Sequence, residues 1–327
     1  MDSSVEFISD KGSGPVIITS KFTGRKLESW VTENYEKLAQ LKHRYGAILF
    51  RGFGVEKPQD FSNLIGLTSS EAIPYMEQTS PRDQVKGHVY TSTAHRSDQQ
   101  IFVHNEQSFK NAFPLNIYFC CVTPSTTGGQ TPLVDTRKIL KEIPDPILDK
   151  FHRHGYVFKR NFIENVYVSW QKSFQTDDRS EVERYCRQND IHFEWDLDFI
   201  ELVTHQKRNC IARHPHTGEL CWFNHCTFFN KSCLPSQTQD IFEQLFDGEY
   251  PNDTLYGDGS PIESEVIDML KDAYEKHKVK FDWQQGDMLM VDNMLMAHGR
   301  ESYEGERLIL TGMSEVHRWE NVTVNSL

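Results

Sequence analysis

Leu115-Asn-Ile-Tyr-Phe-Cys-Cys-Val122 decides how this chain is read. Its β-branched and aromatic content is that of a strand. Segments 155–163, 210–213, 220–224, 288–291 and 307–313 have the same character, and Gly, Pro and Asn clusters such as 124–129 and 214–218 separate them. Helical patterns interrupt these strands at 145–153, 236–246 and 262–277. Before them, Leu27, Trp30, Val31, Tyr35, Leu38 and Leu41 recur at near-helical spacing, which predicts one amphipathic helix over 27–45, ended by Gly46. A short buried strand is expected at 47–50, and a helix over 58–67 that starts at a proline. Many short strands with helices inserted between them predict an α+β fold on a β-sandwich or jelly-roll core. No GxGxxG and no GxxxxGK[ST] occurs, so the nucleotide-binding folds lose their best support.

The chain has 327 residues, enough to bury a large core without staples. Its 35 Lys plus Arg against 47 Asp plus Glu give a net charge of −12, which argues against a phosphate-backbone partner. No apolar run approaches a membrane span, and the N-terminus lacks a basic-then-apolar leader pattern. The seven cysteines form no CxxC pair, and neighbours Cys120 and Cys121 are poorly placed for a mutual bridge. Free thiols and a cytoplasmic, reducing location are the expectation.

The chemistry is expected at His104-Asn105-Glu106 with His298. On a strand, residues i and i+2 face one side, so His104 and Glu106 would project together. A distant histidine would complete two His and one carboxylate, a set that holds one face of an iron and leaves other positions open. With 14 His and 47 acidic residues, chance alone yields about two H-x-[D/E] triplets. Two occur, the second being His192/Glu194, so context must decide. His214 and His216 form an H-x-H, but Pro215 and Gly218 make it read as a turn. His152 and His154 fall at a helix-to-strand junction and read as solvated.

The context is an ordered series. Phe102-Val-His104-Asn-Glu106 is followed by Pro114-Leu-Asn-Ile-Tyr-Phe119 and Gly128-Gly129-Gln-Thr131-Pro-Leu-Val-Asp135. Then come Arg213-His-Pro-His-Thr-Gly-Glu-Leu220, Trp222-Phe-Asn-His225, Gly286-Asp287, Asp292-Asn293, His298-Gly-Arg300 and Tyr303-Glu-Gly-Glu-Arg307. In this order, over roughly 46–313, the chain resembles the TauD/TfdA (taurine dioxygenase-like) family of Fe(II)/2-oxoglutarate oxygenases. His192/Glu194 has no such flanks.

The resemblance implies a single domain over 1–327 with a double-stranded β-helix (jelly-roll, cupin-like) core, flanking and inserted helices, and an N-terminal extension over 1–75 packed on it. It implies Fe(II) held by His104, Glu106 and His298, with 2-oxoglutarate and O2 as cosubstrates. Thr131 matches a threonine that contacts 2-oxoglutarate, and Arg307 the arginine that pairs with its distal carboxylate, a bidentate fit for a guanidinium. Arg300, two residues after His298, is the second choice. A carboxylate at Glu106 argues against a halogenase, and Glu rather than Asp is similar to clavaminate synthase-like and amino-acid β-hydroxylase members. Taurine-type members carry a further arginine where this chain has Thr311, which puts taurine desulfonation in doubt. His225 and Thr311 are the expected substrate contacts. The implied reaction is hydroxylation of an unactivated C–H bond in a small polar substrate, such as a free or carrier-bound amino acid of secondary metabolism. Desaturation or cyclisation, or a non-redox zinc hydrolase or metal sensor on the same fold, are the alternatives. Oligomeric state is left open. The polar segment 76–99, just before the ligands, is expected to be a lid.

Overall fold

The computed structural model describes residues 3–8, 14–21, 26–55, 57–68, 84–86, 89–91 and 95–327. Most of the segment expected as a lid lies outside the described residues. The fold is mixed α/β. Its largest sheet has eight strands in the order Ser3–Phe7, Val16–Ser20, Ala47–Arg51, Met288–Asp292, Ala112–Thr123, Leu308–Arg318, Val89–Thr91 and Gln84–Lys86. All neighbours are antiparallel except Val16–Ser20 with Ala47–Arg51.

The 115–122 run sits at the centre of this sheet, and its burial on both faces explains its nearly unbroken apolar character. Tyr118 and Cys120, with Ile48, Phe50, Met288, Met290 and Leu310, face Trp30, Phe61 and Leu64 of the N-terminal helices. Ile117, Phe119 and Cys121, with Ala47, Leu49, Leu289, Val291 and Ile309, face the other way onto Leu133 and Met296. Those two residues belong to a three-stranded sheet, Ile101–His104, Met296–Arg300 and Leu133–Asp135. Its far side sends Val103, Val134 and Ala297 into a further core shared with helices Thr136–Glu142, Asp145–His154 and Ser264–His277. Large sheet, small sheet and helices thus stack in layers, and the small sheet's inner face opens toward the large one.

Three expectations are corrected here. The 27–45 helix is two helices, Leu27–Glu33 and Tyr35–Tyr45. Asn34 breaks it at φ −125°, ψ 26°, and its Nδ2 donates to the Trp30 carbonyl oxygen at 2.9 Å, a side-chain competitor for helix hydrogen bonding. Gly46 closes the second helix in the left-handed conformation at φ 75°, as glycine allows without a Cβ penalty. Three strands unread in the sequence, Ile191–Leu197, Ile200–Arg208 and Asn252–Tyr256, join Tyr156–Ile163 in a four-stranded sheet. Finally, the strand carrying His104 ends there, and Glu106 lies in the turn that follows.

Asp287 accepts two hydrogen bonds from Arg51, at 3.0 and 2.7 Å, tying the N-terminal strand to the turn before Met288–Asp292. No described helix is long and apolar enough to cross a membrane. All seven cysteines are free thiols.

Candidate metal centre

Strand register brings the first two candidate residues together. His298, on Met296–Arg300, is the direct antiparallel partner of His104, and their ring centroids are 4.9 Å apart. Glu106 is delivered by the turn, where Gln107 takes φ 57°. His104, Glu106 and His298 each offer a ligand atom, all within 4.8 Å of one another. His298 Nε2 and Glu106 Oε2 are 3.9 Å apart, too far for a hydrogen bond but spanned by two bonds of about 2.0–2.2 Å to one cation. Glu106 and His298 are buried, and His104 is half-buried.

The surrounding hydrogen bonds suit a metal. His104 Nδ1 is 2.8 Å from the Phe102 carbonyl oxygen, which can only accept, so this nitrogen carries the proton and Nε2 keeps its lone pair for a cation. Asn293 clamps the turn. Its Oδ1 accepts from the Glu106 backbone N–H at 2.7 Å, and its Nδ2 donates to the carbonyl oxygens of Glu106 and Pro114, each at 2.8 Å. Asn105 Nδ2 donates back to the Asn293 carbonyl at 2.6 Å. The neighbouring Asp292 is fully buried, accepts from Met294 and Leu295 N–H, and meets His214 Nε2 at 3.0 Å. His214 Nδ1 accepts from the His216 and Thr217 N–H groups, so its Nε2 donates to Asp292. Two imidazoles and one carboxylate, oriented in this way, fit the donor set of a non-haem Fe(II) site.

Beside this triad is a small cavity of about 40 Å³, walled by His104, His298, Phe119, Thr131, Arg300, Arg307 and Thr311 among others. Arg307 Nε donates to the Gly129 carbonyl oxygen at 3.1 Å, and its guanidinium lies over the Tyr303 ring, 5.4 Å from the centroid. Burial, and then the nearby Arg300 cation, pull its pKa down to about 10. An anionic ligand group would offset that cost. Gly129 adopts φ 70°, and a Cβ there would meet Ser125 and the Arg307 side chain. Thr131 is buried and its Oγ1 accepts from Trp283 Nε1 at 3.1 Å, which leaves the hydroxyl proton available to donate. Thr311 Oγ1 is buried on the cavity wall with no hydrogen-bond partner among the described residues. Arg300 also lines the cavity, but its Nη atoms donate to the carbonyl oxygens of His95, Arg96 and Gln99, at 2.9, 2.5 and 2.7 Å.

His225 is not on this wall. It lies against His104, with ring centroids 5.3 Å apart, stacks on Phe229 and shares a 2.6 Å hydrogen bond with Ser108 Oγ. Burial, then His104, pushes its pKa well below the usual histidine value, so it is a neutral packing partner of His104. His192 and Glu194 are exposed and 3.8 Å apart, remote in the fold from the triad on the outer four-stranded sheet. Asn293 and Trp283 were not singled out in the sequence. Asn293 stood in the quoted series, but only the folded chain shows that it grips Glu106.

The chain is similar to known proteins in sequence and in fold. The model of the family described as taurine catabolism dioxygenase TauD, TfdA family matches residues 9–314. The chain is 35% identical over 277 residues to the dapdiamide synthesis protein DdaC of Enterobacter agglomerans, covering 84% of each chain. It is 26% identical over 285 residues to a clavaminate synthase-like protein of Arabidopsis thaliana, covering 84% of this chain and 83% of that one. Among solved structures, PvcB of Pseudomonas aeruginosa shares the fold with a TM-score of 0.58 at 14% identity, over 99% of this chain and 95% of that one.

Proposed function

The chain belongs to the TauD/TfdA family of Fe(II)- and 2-oxoglutarate-dependent dioxygenases, and from that premise we propose that it hydroxylates an unactivated C–H bond of a small amino-acid-like substrate, free or carrier-bound, in secondary metabolism. The observation that carries this reading is the joining of the His104, Glu106 and His298 cluster to a cavity that also presents Arg307 and Thr131. A dicarboxylate clamp beside a two-His, one-carboxylate set has no use in a zinc hydrolase or a simple sensor.

In this proposal His104, Glu106 and His298 hold the iron. Arg307 pairs with the distal carboxylate of 2-oxoglutarate and Thr131 donates its hydroxyl proton to the same end. Iron with 2-oxoglutarate and dioxygen supplies the oxidising chemistry, releasing succinate and CO2 as the C–H bond is oxidised. The protein supplies position. Asn293 fixes the Glu106 turn, Phe102 fixes the His104 tautomer, and Trp283 fixes the Thr131 hydroxyl. Arg300 serves as an anchor for 95–99 at the cavity mouth rather than as the carboxylate clamp. Thr311 Oγ1 faces substrate or cosubstrate, and His225 acts through His104 instead of touching substrate.

The amino-acid character of the substrate draws support from the Glu-type ligand and from the likeness to the dapdiamide synthesis protein. We further read the chain as one domain with a double-stranded β-helix core, because the strands before residue 75 extend the same sheet that carries Met288–Asp292. Free cysteines accord with a cytoplasmic setting. The test is a panel of free and carrier-linked amino acids incubated with Fe(II), 2-oxoglutarate and O2, with succinate and product mass read together. A product heavier by one oxygen supports hydroxylation. A product lighter by two hydrogens establishes desaturation or cyclisation instead, and no stimulation of succinate by any member overturns the substrate class.

A further inference from the structure

The H-x-H at His214 and His216 is absorbed only in part by the site above. His214 turns inward to Asp292, while His216 turns outward, meets Glu315 of the Leu308–Arg318 strand and lies edge-on to His317 of the same strand, with ring centroids 6.0 Å apart. We propose that His216, Glu315 and His317 form a second metal site, at the surface, for a divalent cation of the zinc type.

The donor atoms are already gathered. Glu315 Oε1 is 2.9 Å from His216 Nε2 and 3.5 Å from His317 Nε2, and one donor atom from each residue lies within 4.8 Å of the others. Tetrahedral zinc with bonds of about 2.0–2.1 Å holds its ligands about 3.3 Å apart, which is the spacing seen around Glu315. Three protein ligands leave a fourth position to water, and the partly exposed side chains give a cation access.

Two of the three ligands, Glu315 and His216, are also held in place by neighbours. Asn116 Nδ2 donates to Glu315 Oε2 at 2.7 Å, so one carboxylate oxygen is oriented and the other is turned to the histidines. His43 stacks on the His216 ring at 5.1 Å and 22°. The His216 backbone N–H donates to His214 Nδ1 at 3.2 Å, which pins the turn to buried Asp292. Glu315 itself takes φ 63° inside a strand, a left-handed conformation that non-glycine residues adopt at a cost and that clusters at ligand sites. Among the described residues Lys42 is a nearby opposing charge, with Nζ 3.9 Å from Glu315. It lies equally far from Asp292, and its shorter hydrogen bond, 2.7 Å, goes to Asn116 Oδ1. The site is separate from the iron centre. Thr311 on the cavity wall and Glu315 are four residues apart on one strand, about 13 Å. A cation here would tie the 214–218 turn to the end of the Leu308–Arg318 strand.

Zinc is the probe. The metal-free full chain is dialysed to equilibrium against micromolar ZnCl2 at neutral pH, and bound metal is counted by mass spectrometry. Two zinc ions per chain are expected for wild type, one for His317→Ala, one for His298→Ala and none for the double variant. Cobalt(II) d–d absorption in the His298→Ala background, lost on adding His317→Ala, would identify the surface ligands spectroscopically. Should His317→Ala fold poorly by circular dichroism, the more exposed His216→Gln takes its place. One zinc in wild type that disappears with His298→Ala overturns the proposal, as does a second zinc that survives both surface substitutions.

Discussion

Replacing Asn293 with Ala isolates the device that delivers Glu106. Three side-chain hydrogen bonds vanish: the one accepted from the Glu106 N–H, and those donated to the carbonyl oxygens of Glu106 and Pro114. Asn293 is fully buried, so water does not replace it freely. At about 1 kcal/mol for each net hydrogen bond the loss is about 3 kcal/mol, and the buried groups left unsatisfied raise it toward about 5 kcal/mol. The hydrogen bond from the Asn105 side-chain amide to the Asn293 backbone carbonyl survives the substitution, so the turn loosens without being cut free. Outer partners of metal ligands are typically worth 10–100-fold in affinity, so Fe(II) binding should weaken by roughly that factor. Urea denaturation of the metal-free protein gives the first quantity, and anaerobic iron titration gives the second. A stability loss under about 1 kcal/mol together with unchanged iron affinity would refute the claim that this residue positions Glu106.

Other predictions follow from the same geometry. Arg307→Ala should raise the KM for 2-oxoglutarate by roughly 30-fold or more, the scale of truncating one partner of a buried charge pair, with Arg307→Lys intermediate; steady-state kinetics with varied cosubstrate reads it. Because burial lowers the Arg307 pKa to about 10, the guanidinium is charged below that pH and neutral above it. Affinity for 2-oxoglutarate should therefore be level from about pH 7 to 9 and fall above about pH 10, where an ordinary arginine would still be charged; a KM level through that upper range would contradict it. Gly129→Ala places a methyl group against Ser125 and Arg307 at φ 70°, and should cost about 1–2 kcal/mol in thermal or chemical denaturation while also raising the cosubstrate KM. His192→Ala, at an exposed pair, should leave iron affinity unchanged and stability within about 0.5 kcal/mol.

The layered core was legible because burial on both faces writes itself as a nearly unbroken apolar run, and 115–122, interrupted only by Asn116, is such a run. The triad was legible only through its ordered flanks, since the same triplet at 192–194 is an exposed pair on an outer strand. That outer strand did carry a signal: Ile191, Phe193 and Trp195 alternate with His192, Glu194 and Asp196, and the first set packs inward. The break at Asn34 was hidden because Leu27, Trp30, Val31 and Leu38 are all buried on either side of it, so the apolar spacing runs through. Asn293 and Trp283 could not be assigned from spacing at all. Their contacts join positions more than a hundred residues apart, and only the register of the sheets brings them together.

The central claim is that His104, Glu106 and His298 hold iron beside an Arg307-bound 2-oxoglutarate. Anaerobic addition of Fe(II) and 2-oxoglutarate to the full chain, followed by visible absorption, tests it most directly. The weak charge-transfer band of the chelate is expected in wild type, absent in His298→Ala and weakened in Arg307→Ala at equal cosubstrate. A wild-type protein that takes up iron and 2-oxoglutarate without that band, or a band that persists in His298→Ala, would contradict the account.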